Sequence, residues 1–466
     1  MIDRIVIIGG GISGLAAAHR VLELNPAAQV TVLEASGRLG GTIHTEHRDG
    51  FLLERGPDSF ISEKPQAVAL AKRLGLESQL IQTNEAYRRS FIVRNGRLRA
   101  VPEGFQLMAP SRIWPFITSD IFSLGGKARM AADLFLPRKS TNGTNDESLA
   151  SFVRRRLGEE ALARMAQPMV GGIYTADPET LSLRATLPRF LEMEQKHRSL
   201  ILAMARQGRA QKRGTSGARY SLFLSFDRGM QVVVGTLARM NADFRVKTRA
   251  VAMRFDGQGW SISTDQAEQF KADAVCLAVP AYVAASLVEP TNEQLAQKLR
   301  EIKYASTATI NFAYRRTAIG HPLNGFGFVV PFIEKRSLIA CTFSSVKFSG
   351  RAPDDHVLLR AFAGGALQPD IFALDESEMA RRVEADLREL LAIREDPRFI
   401  EVAKWERSMP QYEVGHLDRV NEIERLVNEL PGLALAGNAY RGAGIPDCIR
   451  SGETAAESLV YQRARA

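Results

Sequence analysis

The sequence predicts a chain of mixed α/β and α+β class, in which a domain with a parallel sheet comes first. An apolar, β-branched run of strand length opens the chain, from Arg4 to Ile8. A helix-forming segment follows it, and three glycines stand at G-x-G-x-x-G spacing in between, Gly9, Gly11 and Gly14. A second apolar strand then ends at Glu34. Because the glycines lie between a strand and a helix of one βαβ unit, the pattern predicts a dinucleotide-binding domain.

Each residue of this fingerprint has a physical task. Gly9 allows the tight turn, Gly11 lets backbone N–H groups approach a pyrophosphate, and Gly14 lets the helix pack closely on the strand. Glu34 is placed to accept hydrogen bonds from an adenosine ribose, and its charge disfavours the 2′-phosphate of NADP. A glycine-rich loop in an unrelated α/β fold is the alternative interpretation.

A glycine pair comes shortly after the βαβ unit, in the segment Arg38-Leu39-Gly40-Gly41. Two adjacent glycines again bring the backbone close to a ligand, and the Arg38 guanidinium can bind a phosphate. At this distance from a βαβ unit, the R-x-G-G pattern favours a flavin over a nicotinamide cofactor. We therefore predict that FAD binds here.

The composition of the 466-residue chain is that of a globular protein with two or three domains, since 45% of its residues are hydrophobic and 24% charged. The net charge is +9, but the cations are spread along the chain and no nucleic-acid-binding motif accompanies them. We therefore expect no nucleic-acid partner. Attraction to an anionic substrate or an acidic membrane surface explains the charge better, and the arginines at 154–156 are interpreted as a solvated helix face.

The cysteines point to a reducing compartment. Cys276, Cys341 and Cys448 lie far apart without a C-x-x-C pattern, so we expect neither a disulfide framework nor a metal site. The fingerprint begins within a few residues of Met1, which leaves no room for a signal peptide, and no apolar run reaches membrane-spanning length. A cytoplasmic protein is the expectation.

From about residue 85 the chain changes character. Asn95-Gly96 between two short strands predicts a hairpin. The segment from Phe105 to Pro137 mixes aromatic and apolar residues with arginine and lysine. It is either the core of a helical domain or a membrane-docking surface, and the core is the favoured interpretation. Alternating strands between Ile302 and Ala363, followed by an amphipathic helix, predict a mixed-sheet substrate domain of α+β type.

Near its end the chain returns to the first domain. A strand from Leu433 leads into a glycine-rich turn, and Pro446 marks the start of a final helix whose positive end would suit the pyrimidine edge of a reduced flavin. FAD would thus be held from both ends of the sequence. The predicted domains are an FAD-binding domain (1–85, 225–300 and 425–466), a substrate-binding domain (86–104, 186–224 and 301–424) and a helical, membrane-binding-like domain (105–185).

Four motifs go beyond a generic flavin fold. They are Glu54 to Phe60 (ERGPDSF), Gln195 to Leu200 (QKHRSL), Trp405 with Met409 to His416, and Gly444 to Ile449 (GIPDCI). Together they closely resemble the oxygen-dependent porphyrinogen oxidases of haem biosynthesis, over nearly the whole chain. The resemblance is greater to the Gram-positive-type branch, which oxidises coproporphyrinogen III, than to the mitochondrial protoporphyrinogen oxidases.

This resemblance implies a Rossmann-like FAD-binding domain of the flavin amine oxidase type, and it also implies positions for the FAD contacts. The implied contacts are Gly9, Gly10, Gly11, Ile12, Ser13, Gly14, Glu34, Ala35, Thr42, Gly56, Pro57, Asp58, Ser59, Val251 through its backbone, Trp405, Ile445, Pro446 and Asp447. For Trp405, simple core packing is the alternative. His416 is expected to be structural.

One position departs from the mitochondrial branch. That branch has an arginine for a substrate propionate just before a strand that begins with Phe, whereas this chain has Ser90 there, with Arg89 adjacent. The departure favours the coproporphyrinogen branch. Arg89, Lys196 and Arg198 are candidates for binding the substrate carboxylates.

The reaction that the resemblance implies is a flavin oxidation. FAD takes a hydride from a meso carbon of coproporphyrinogen III or protoporphyrinogen IX, a pyrrole proton is lost, and dioxygen reoxidises the flavin with release of hydrogen peroxide. Repetition removes six electrons and aromatises the macrocycle. The sequence offers no distinct general base, so no catalytic acid or base is assigned.

Two other functions are open at the level of sequence. An amine oxidase or a carotenoid desaturase would use the same flavin scaffold, although amine oxidases bind cations and this chain carries a net charge of +9. The other alternative is a porphyrin-binding protein that retains FAD only as a structural element.

Overall fold

The computed structural model describes residues 3–139, 146–210 and 223–462. In these ranges the strands are β1 (Arg4–Ile8), β2 (Gln29–Leu33), β3 (Thr45–Arg48), β4 (Phe51–Glu54), β5 (Phe60–Ile61), β6 (Leu80–Gln82), β7 (Phe91–Arg94), β8 (Arg97–Ala100), β9 (Phe105–Gln106), β10 (Ala109–Pro110), β11 (Phe223–Phe226), β12 (Asp243–Arg245), β13 (Ala250–Phe255), β14 (Trp260–Thr264), β15 (Gln269–Ala272), β16 (Ala274–Leu277), β17 (Tyr304–Arg315), β18 (Gly327–Val329), β19 (Ala340–Phe343), β20 (His356–Gly364), β21 (Phe399–Pro410) and β22 (Leu433–Leu435). The helices are α1 (Ile12–Leu24), α2 (Gln66–Arg73), α3 (Ile113–Thr118), α4 (Leu124–Ala131), α5 (Leu149–Arg156), α6 (Glu159–Ala161), α7 (Gln167–Tyr174), α8 (Leu183–Thr186), α9 (Pro188–His197), α10 (Leu200–Ala210), α11 (Gln231–Leu237), α12 (Ala281–Val288), α13 (Glu293–Arg300), α14 (Ser344–Lys347), α15 (Pro369–Ala373), α16 (Glu376–Leu391), α17 (His416–Val427) and α18 (Ile445–Gln462).

A parallel sheet forms the first domain, with the strand order β12-β2-β1-β16-β22. Strand β1 lies in the middle of this sheet, where both of its faces are covered. Its residues from Ile5 to Ile8 are accordingly all apolar and all buried. Helix α18 packs on α1 so closely that a Cβ atom at Gly452 would lie 2.1 Å from the Ser13 carbonyl oxygen. The chain therefore returns to its first domain at its end, as the sequence predicts.

A second sheet has the order β21-β17-β20-β19-β18-β7-β8, and all its neighbours are antiparallel except β18 and β7. Helix α16 covers it, because Met379, Val383 and Leu387 share a core with Ile310 and Phe312 of β17. The hairpin between β7 and β8 turns at residues 95–96, which both have positive φ angles. This mixed sheet with a covering helix confirms the predicted α+β class.

The helices from α3 to α10 surround a third core, which includes residues from Leu107 to Met204. The helices between residues 188 and 210 share this core, whereas the sequence-based division placed 186–224 in the substrate-binding domain. In the structure, therefore, helices α9 and α10 of this stretch pack with the helical part of the molecule.

The aromatic segment from Phe105 to Pro137 contributes both to the core and to the surface. Phe116 and Phe122 are buried, and their rings pack 5.7 Å apart between centroids. Trp114 and Phe135, by contrast, are 74% and 80% exposed. The segment therefore provides core packing on one side and exposed aromatic side chains on the other.

The arginines at the end of α5 do not form the solvated face that their sequence suggested. Arg154 is 42% exposed and pairs with Glu159 and Glu179, but Arg156 is fully buried. The Arg156 Nε donates to the Asp133 Oδ1 at 2.7 Å, and its other nitrogens donate to backbone carbonyls. A buried charge is tolerated here because every side of the guanidinium finds an acceptor.

The cysteines Cys276, Cys341 and Cys448 are buried free thiols. Within the residues described, no helix combines the length and the apolar character that crossing a bilayer demands. The same ranges contain no group of three or more His, Cys, Asp or Glu side chains that could hold a metal ion.

Candidate functional site

The glycine loop after β1 is tight at two positions and open at a third. A Cβ atom at Gly9, where φ is +110°, would lie 2.3 Å from the Ala278 carbonyl oxygen, and one at Gly14 would lie 1.9 Å from the Gly9 carbonyl oxygen. At Gly11, by contrast, no atom would come closer than 3.9 Å. The loop is therefore closed towards the protein and open where a pyrophosphate would approach, which fits the chemistry of a dinucleotide.

Glu34 shapes this loop. Its Oε2 accepts the Gly10 N–H at 2.8 Å, and its Oε1 accepts the Ser36 N–H at 2.7 Å. A carboxylate oxygen can accept more than one hydrogen bond, so both oxygens retain capacity for ribose hydroxyls. The contact of Glu34 with ribose, and that of the neighbouring Ala35, stay predictions.

Arg38 fixes the second glycine segment, which is hydrogen-bonded to the first. Its guanidinium donates to the carbonyl oxygens of Leu39, Gly41 and Ile43, and burial lowers its pKa. The Gly40 N–H donates to the Gly10 carbonyl oxygen at 2.8 Å. The two glycine segments that the sequence analysis identified are thus adjacent. Arg38 fixes the second of them by binding its carbonyl groups, and the contact of Arg38 with a phosphate stays a prediction.

The Glu54–Ser59 segment lies against the seven-stranded sheet. Its carbonyl groups are bound by side chains of that sheet: Arg55 O accepts from Trp405 Nε1 at 2.8 Å and from the Thr309 hydroxyl, and Gly56 O accepts from the Arg360 guanidinium. This arrangement brings Trp405 to the segment that includes Gly56. The Trp405 indole therefore binds Arg55, next to the predicted cofactor turn of residues 56–59, which we call the Gly56 turn.

Gly56 also contacts the other half of the predicted site. A Cβ atom there would lie 1.7 Å from the Thr42 carbonyl oxygen, so only glycine allows these two backbones to approach. Pro57 follows Gly56 and precedes Asp58. Thr42 and Gly56 were predicted from separate motifs, and the structure places them in direct contact.

Asp58 is one of the acids of a buried charge cluster. Its Oδ2 lies 3.0 Å from Lys347 Nζ and 3.6 Å from an Arg360 nitrogen, and the Ser59 hydroxyl donates to its Oδ1. Burial by itself would raise the pKa of Asp58, but these cations and hydrogen bonds lower it well below its usual range. Sequence reasoning missed Lys347 and Arg360; the one available signal was an arginine within the apolar run of β20.

The turn before α18 reaches the same region from the C-terminus. Gly442 has a φ of +145° and faces the Asp447 carboxyl group, which pairs with Lys64 at 2.5 Å and with Arg450 at 2.9 Å. Ile445, Ile12 and Ile43 share one core, so the starts of α18 and α1 lie together. Ser13 and Pro446 belong to the first turns of these two helices.

Tyr412 and His416 support this turn. The Tyr412 hydroxyl accepts the Gly442 N–H at 2.8 Å and donates to the Asn438 carbonyl oxygen at 2.5 Å. His416 stacks on Tyr412 with ring centroids 4.0 Å apart, and burial lowers the pKa of His416 to about 4. A neutral, fully buried imidazole fits the expected structural role.

Val251 lies in β13, at a β-bulge. The pairing with β14 runs from Ala250 directly to Ala252, so Val251 stands outside the register, and its side chain is 50% exposed. A bulge leaves a backbone group free of the ladder, as a contact through the backbone requires. That contact with FAD stays a prediction.

The three candidates for binding substrate carboxylates lie in two parts of the molecule. Arg89 is exposed and precedes β7 of the seven-stranded sheet. Lys196 and Arg198 lie at the end of α9, where Lys196 pairs with Glu192 and Arg198 donates to the Leu134 carbonyl oxygen. There they line an open cleft of about 480 Å³ together with Phe135, Pro137, Arg138, Gln195 and His197. The substrate contacts of all three stay predictions.

A family model described as flavin containing amine oxidoreductase matches residues 12–460. The chain belongs to this family. As a flavin-containing oxidoreductase it uses FAD, for which the open glycine loop and the adjoining turns are suited.

Relatives of this flavin-containing oxidoreductase confirm the resemblance seen in its motifs. A coproporphyrinogen III oxidase from Bacillus subtilis (strain 168) is 36% identical, and the match covers 98% of each chain. One from Propionibacterium freudenreichii subsp. freudenreichii is 34% identical over 98% of this chain and 90% of that protein. The chloroplastic protoporphyrinogen oxidase 1 of Arabidopsis thaliana is 29% identical over 97% and 87%, respectively.

Solved structures support the fold of this flavin-containing oxidoreductase. A crystal structure of a protein from Exiguobacterium sp. 255-15 superposes with a TM-score of 0.88 at 31% identity, over 99% of each chain. A putrescine oxidase bound to putrescine superposes with a TM-score of 0.66 at 17% identity, over 98% of this chain and 99% of that one, which shows the shared fold alone.

Proposed function

We propose that this chain is an FAD-dependent enzyme that oxidises coproporphyrinogen III to coproporphyrin III in haem biosynthesis, with dioxygen as electron acceptor. The observation that carries the proposal is the similarity to coproporphyrinogen III oxidases at 30% to 36% identity over 98% or more of the chain. Protoporphyrinogen IX is the alternative substrate, because protoporphyrinogen oxidases match at 28% to 30% over a comparable length.

When bound, FAD would supply the two-electron acceptor: each round would remove a hydride from a meso carbon and a proton from a pyrrole nitrogen, and dioxygen would take up the two electrons and two protons to leave as hydrogen peroxide. Three such rounds remove six electrons and aromatise the macrocycle. The role that we assign to the residues of this chain is to bind and orient the cofactor and the substrate. The Gly56 turn is fixed by Trp405 and Arg360, and the Gly442 turn by Tyr412. We assign no side chain as a catalytic acid or base.

The substrate choice is tested by comparing turnover of coproporphyrinogen III and protoporphyrinogen IX, followed by porphyrin fluorescence and oxygen consumption. Coproporphyrinogen III carries four carboxylates and protoporphyrinogen IX two, so coproporphyrinogen III should be turned over faster if basic side chains line the site. Faster turnover of the two-carboxylate substrate would reverse the choice. Oxidation of putrescine with no response to either porphyrinogen would instead support an amine oxidase.

Arg89 offers a sharper test of the carboxylate contact. We expect Arg89→Gln to raise the KM for coproporphyrinogen III about tenfold, because one charge-assisted hydrogen bond is lost, while the kcat changes little. Arg97→Gln, an exposed arginine on the neighbouring strand β8, is the matched control and should leave the KM unchanged. Equal effects of both variants would remove Arg89 from the site.

We further propose that the protein works in the cytoplasm and contacts the inner membrane surface peripherally through its helical region. Ile113, Trp114, Leu124 and Phe135 are each at least 60% exposed, and the exposed Arg138 lies close to Phe135. Exposed apolar side chains beside cations suit an anionic lipid surface. Co-sedimentation with phosphatidylglycerol vesicles should be lost in Trp114→Ser but not in Tyr461→Ser, an exposed aromatic side chain on α18. Absence of vesicle binding by the wild type would refute the contact.

A further inference from the structure

A group of five ionisable side chains lies behind the Gly56 turn. Lys347, Arg351 and Arg360 are its cations, and Glu54 and Asp58 are its acids. Their side chains are at most 15% exposed, so water screens their charges poorly. Asp227, which also acts on Arg351, is exposed. With both acids ionised, the buried group carries an excess of one positive charge.

Arg360 is the cation of this group that donates to the backbone of the predicted cofactor turn, whereas Lys347 binds the side chains of Asp58 and Ser59. Its guanidinium donates to the Gly56 carbonyl oxygen, stands 3.6 Å from Asp58 and lies 4.6 Å from the centroid of the Phe362 ring. The Arg360 side chain is 4% exposed, and its Nε has no hydrogen-bond partner among the described residues. Burying a cation with an unpaired N–H group lowers the stability of the fold, so a functional role would explain why Arg360 lies here.

The carbonyl groups of Arg55 and Asp58, on either side of Gly56 in the sequence, are also hydrogen-bonded. Arg55 O accepts from Trp405 and Thr309, and Asp58 O accepts from the Ser225 hydroxyl, which is in turn 3.0 Å from an Arg351 nitrogen. The carbonyl groups of three residues are thus bound from the seven-stranded sheet or, in the case of Asp58, from Ser225 beside Arg351. Gly56 is itself a predicted FAD contact and packs on Thr42, another one, so Arg360 directly binds the backbone of the predicted FAD site.

We propose that Arg360 is a positioning residue of the flavin site, which fixes the Gly56 turn and, together with Asp58, sets the reduction potential of bound FAD. A positive charge near the cofactor stabilises the reduced flavin, which carries more negative charge than the oxidised form. Asp58 limits this effect because it neutralises one of the cations. The inference deepens the proposed function and depends on its cofactor site.

Two substitutions of this one ion pair have opposite expected effects. Arg360→Gln removes a positive charge and should weaken the preference for reduced over oxidised flavin about tenfold, which lowers the midpoint potential by about 30 mV. Asp58→Asn removes a negative charge and should raise the potential by a similar amount. Arg360→Lys keeps the charge but loses the planar fork, so it should preserve the potential and weaken FAD binding.

The midpoint potential is measured by reductive titration against reference dyes, and FAD affinity by reconstitution of the apoprotein. Arg336→Gln is the control, because Arg336 also forms ion pairs, with Asp386 and Glu389, but contacts none of the predicted FAD residues. A shift in the same direction for Arg360→Gln and Asp58→Asn, or a shift no larger than that of Arg336→Gln, would refute the inference. If Arg360→Gln does not fold, Arg360→Lys and Asp58→Asn provide the comparison.

Failure of the proposed function has a different signature. In that case the wild-type protein would bind FAD and show a measurable potential, yet oxidise neither porphyrinogen. The potentials of the charge variants would still test the role of Arg360.

Discussion

Two glycines within helices of this chain have opposite surroundings. A Cβ atom at Gly14 in α1 would lie 1.9 Å from a backbone oxygen, whereas one at Gly235 in α11 would meet nothing within 4 Å. We expect Gly14→Ala to lose bound FAD and to lower stability by about 1–3 kcal/mol through overpacking. Gly235→Ala should retain FAD and gain roughly 0.5–1 kcal/mol. Flavin absorbance after gel filtration and thermal melting measure both effects.

Equal loss of FAD in both variants would mean that the close approach at Gly14 is unimportant. The sequence alone predicted this difference in part, because G-x-G-x-x-G spacing identifies the residue that must lack a side chain. It could not identify Gly235 as unconstrained, since that depends on what packs against α11.

Glu54 gives a pH dependence to stability. Its carboxyl group is 3% exposed, and burial raises its pKa from 4.5 to about 7 against the opposing hydrogen bonds of Met230 and Thr45. Between these pH values the folded protein retains a proton on Glu54 that the unfolded chain has lost. The contribution of this proton to the free energy of unfolding is therefore complete below pH 4.5 and is lost as the pH rises through 7. The loss is about 3 kcal/mol.

Glu54→Gln should therefore flatten the decline of the free energy of unfolding between pH 4.5 and pH 8, relative to the wild type. Urea unfolding at several pH values gives the comparison. If the variant and the wild type decline in parallel, another group is responsible. This behaviour could not be predicted from the sequence, because the groups that bind the Glu54 carboxylate, the Thr45 hydroxyl and the Met230 N–H, lie in other segments of the chain.

At the scale of elements, α5 shows the limit of a sequence pattern. Three consecutive arginines suggest a solvated face, yet a helix turns about 100° per residue, so Arg154 and Arg156 point in different directions. Which of them becomes buried depends on the segment around Asp133, which is distant in sequence. The helices and strands near the fingerprint were predictable because their periodicity is local, and the partners of α5 were not.

We expect Arg156→Met to destabilise the protein by about 3–5 kcal/mol, because Asp133 would remain buried without its cation. Arg154→Met, on the same helix and 42% exposed, should cost less than about 1 kcal/mol. Chemical denaturation of both variants distinguishes them. Similar small losses would show that Asp133 finds sufficient partners in the Ser199 hydroxyl and the Ile201 N–H.

At the scale of the whole molecule, the predicted FAD site joins segments from both ends of the chain, and FAD should therefore stabilise the molecule as a unit. At a concentration of one hundred times its Kd, FAD should add about 2.7 kcal/mol to the stability of the apoprotein and raise its Tm. FMN lacks the adenosine half that the glycine loop and Glu34 are expected to bind, so it should restore little of this gain. Equal stabilisation by FMN would contradict the assignment of the loop.

The sheet order also determines when the molecule can be completed during synthesis. Strand β1 pairs with β2 soon after both are made, but it lacks its other neighbour, β16, until residue 277 has been made, and α18 covers α1 only when residue 462 has been made. The nascent chain must keep this apolar edge from aggregating while the middle of the protein emerges. Although its glycines are made early, the predicted cofactor site is among the last parts of the molecule to form.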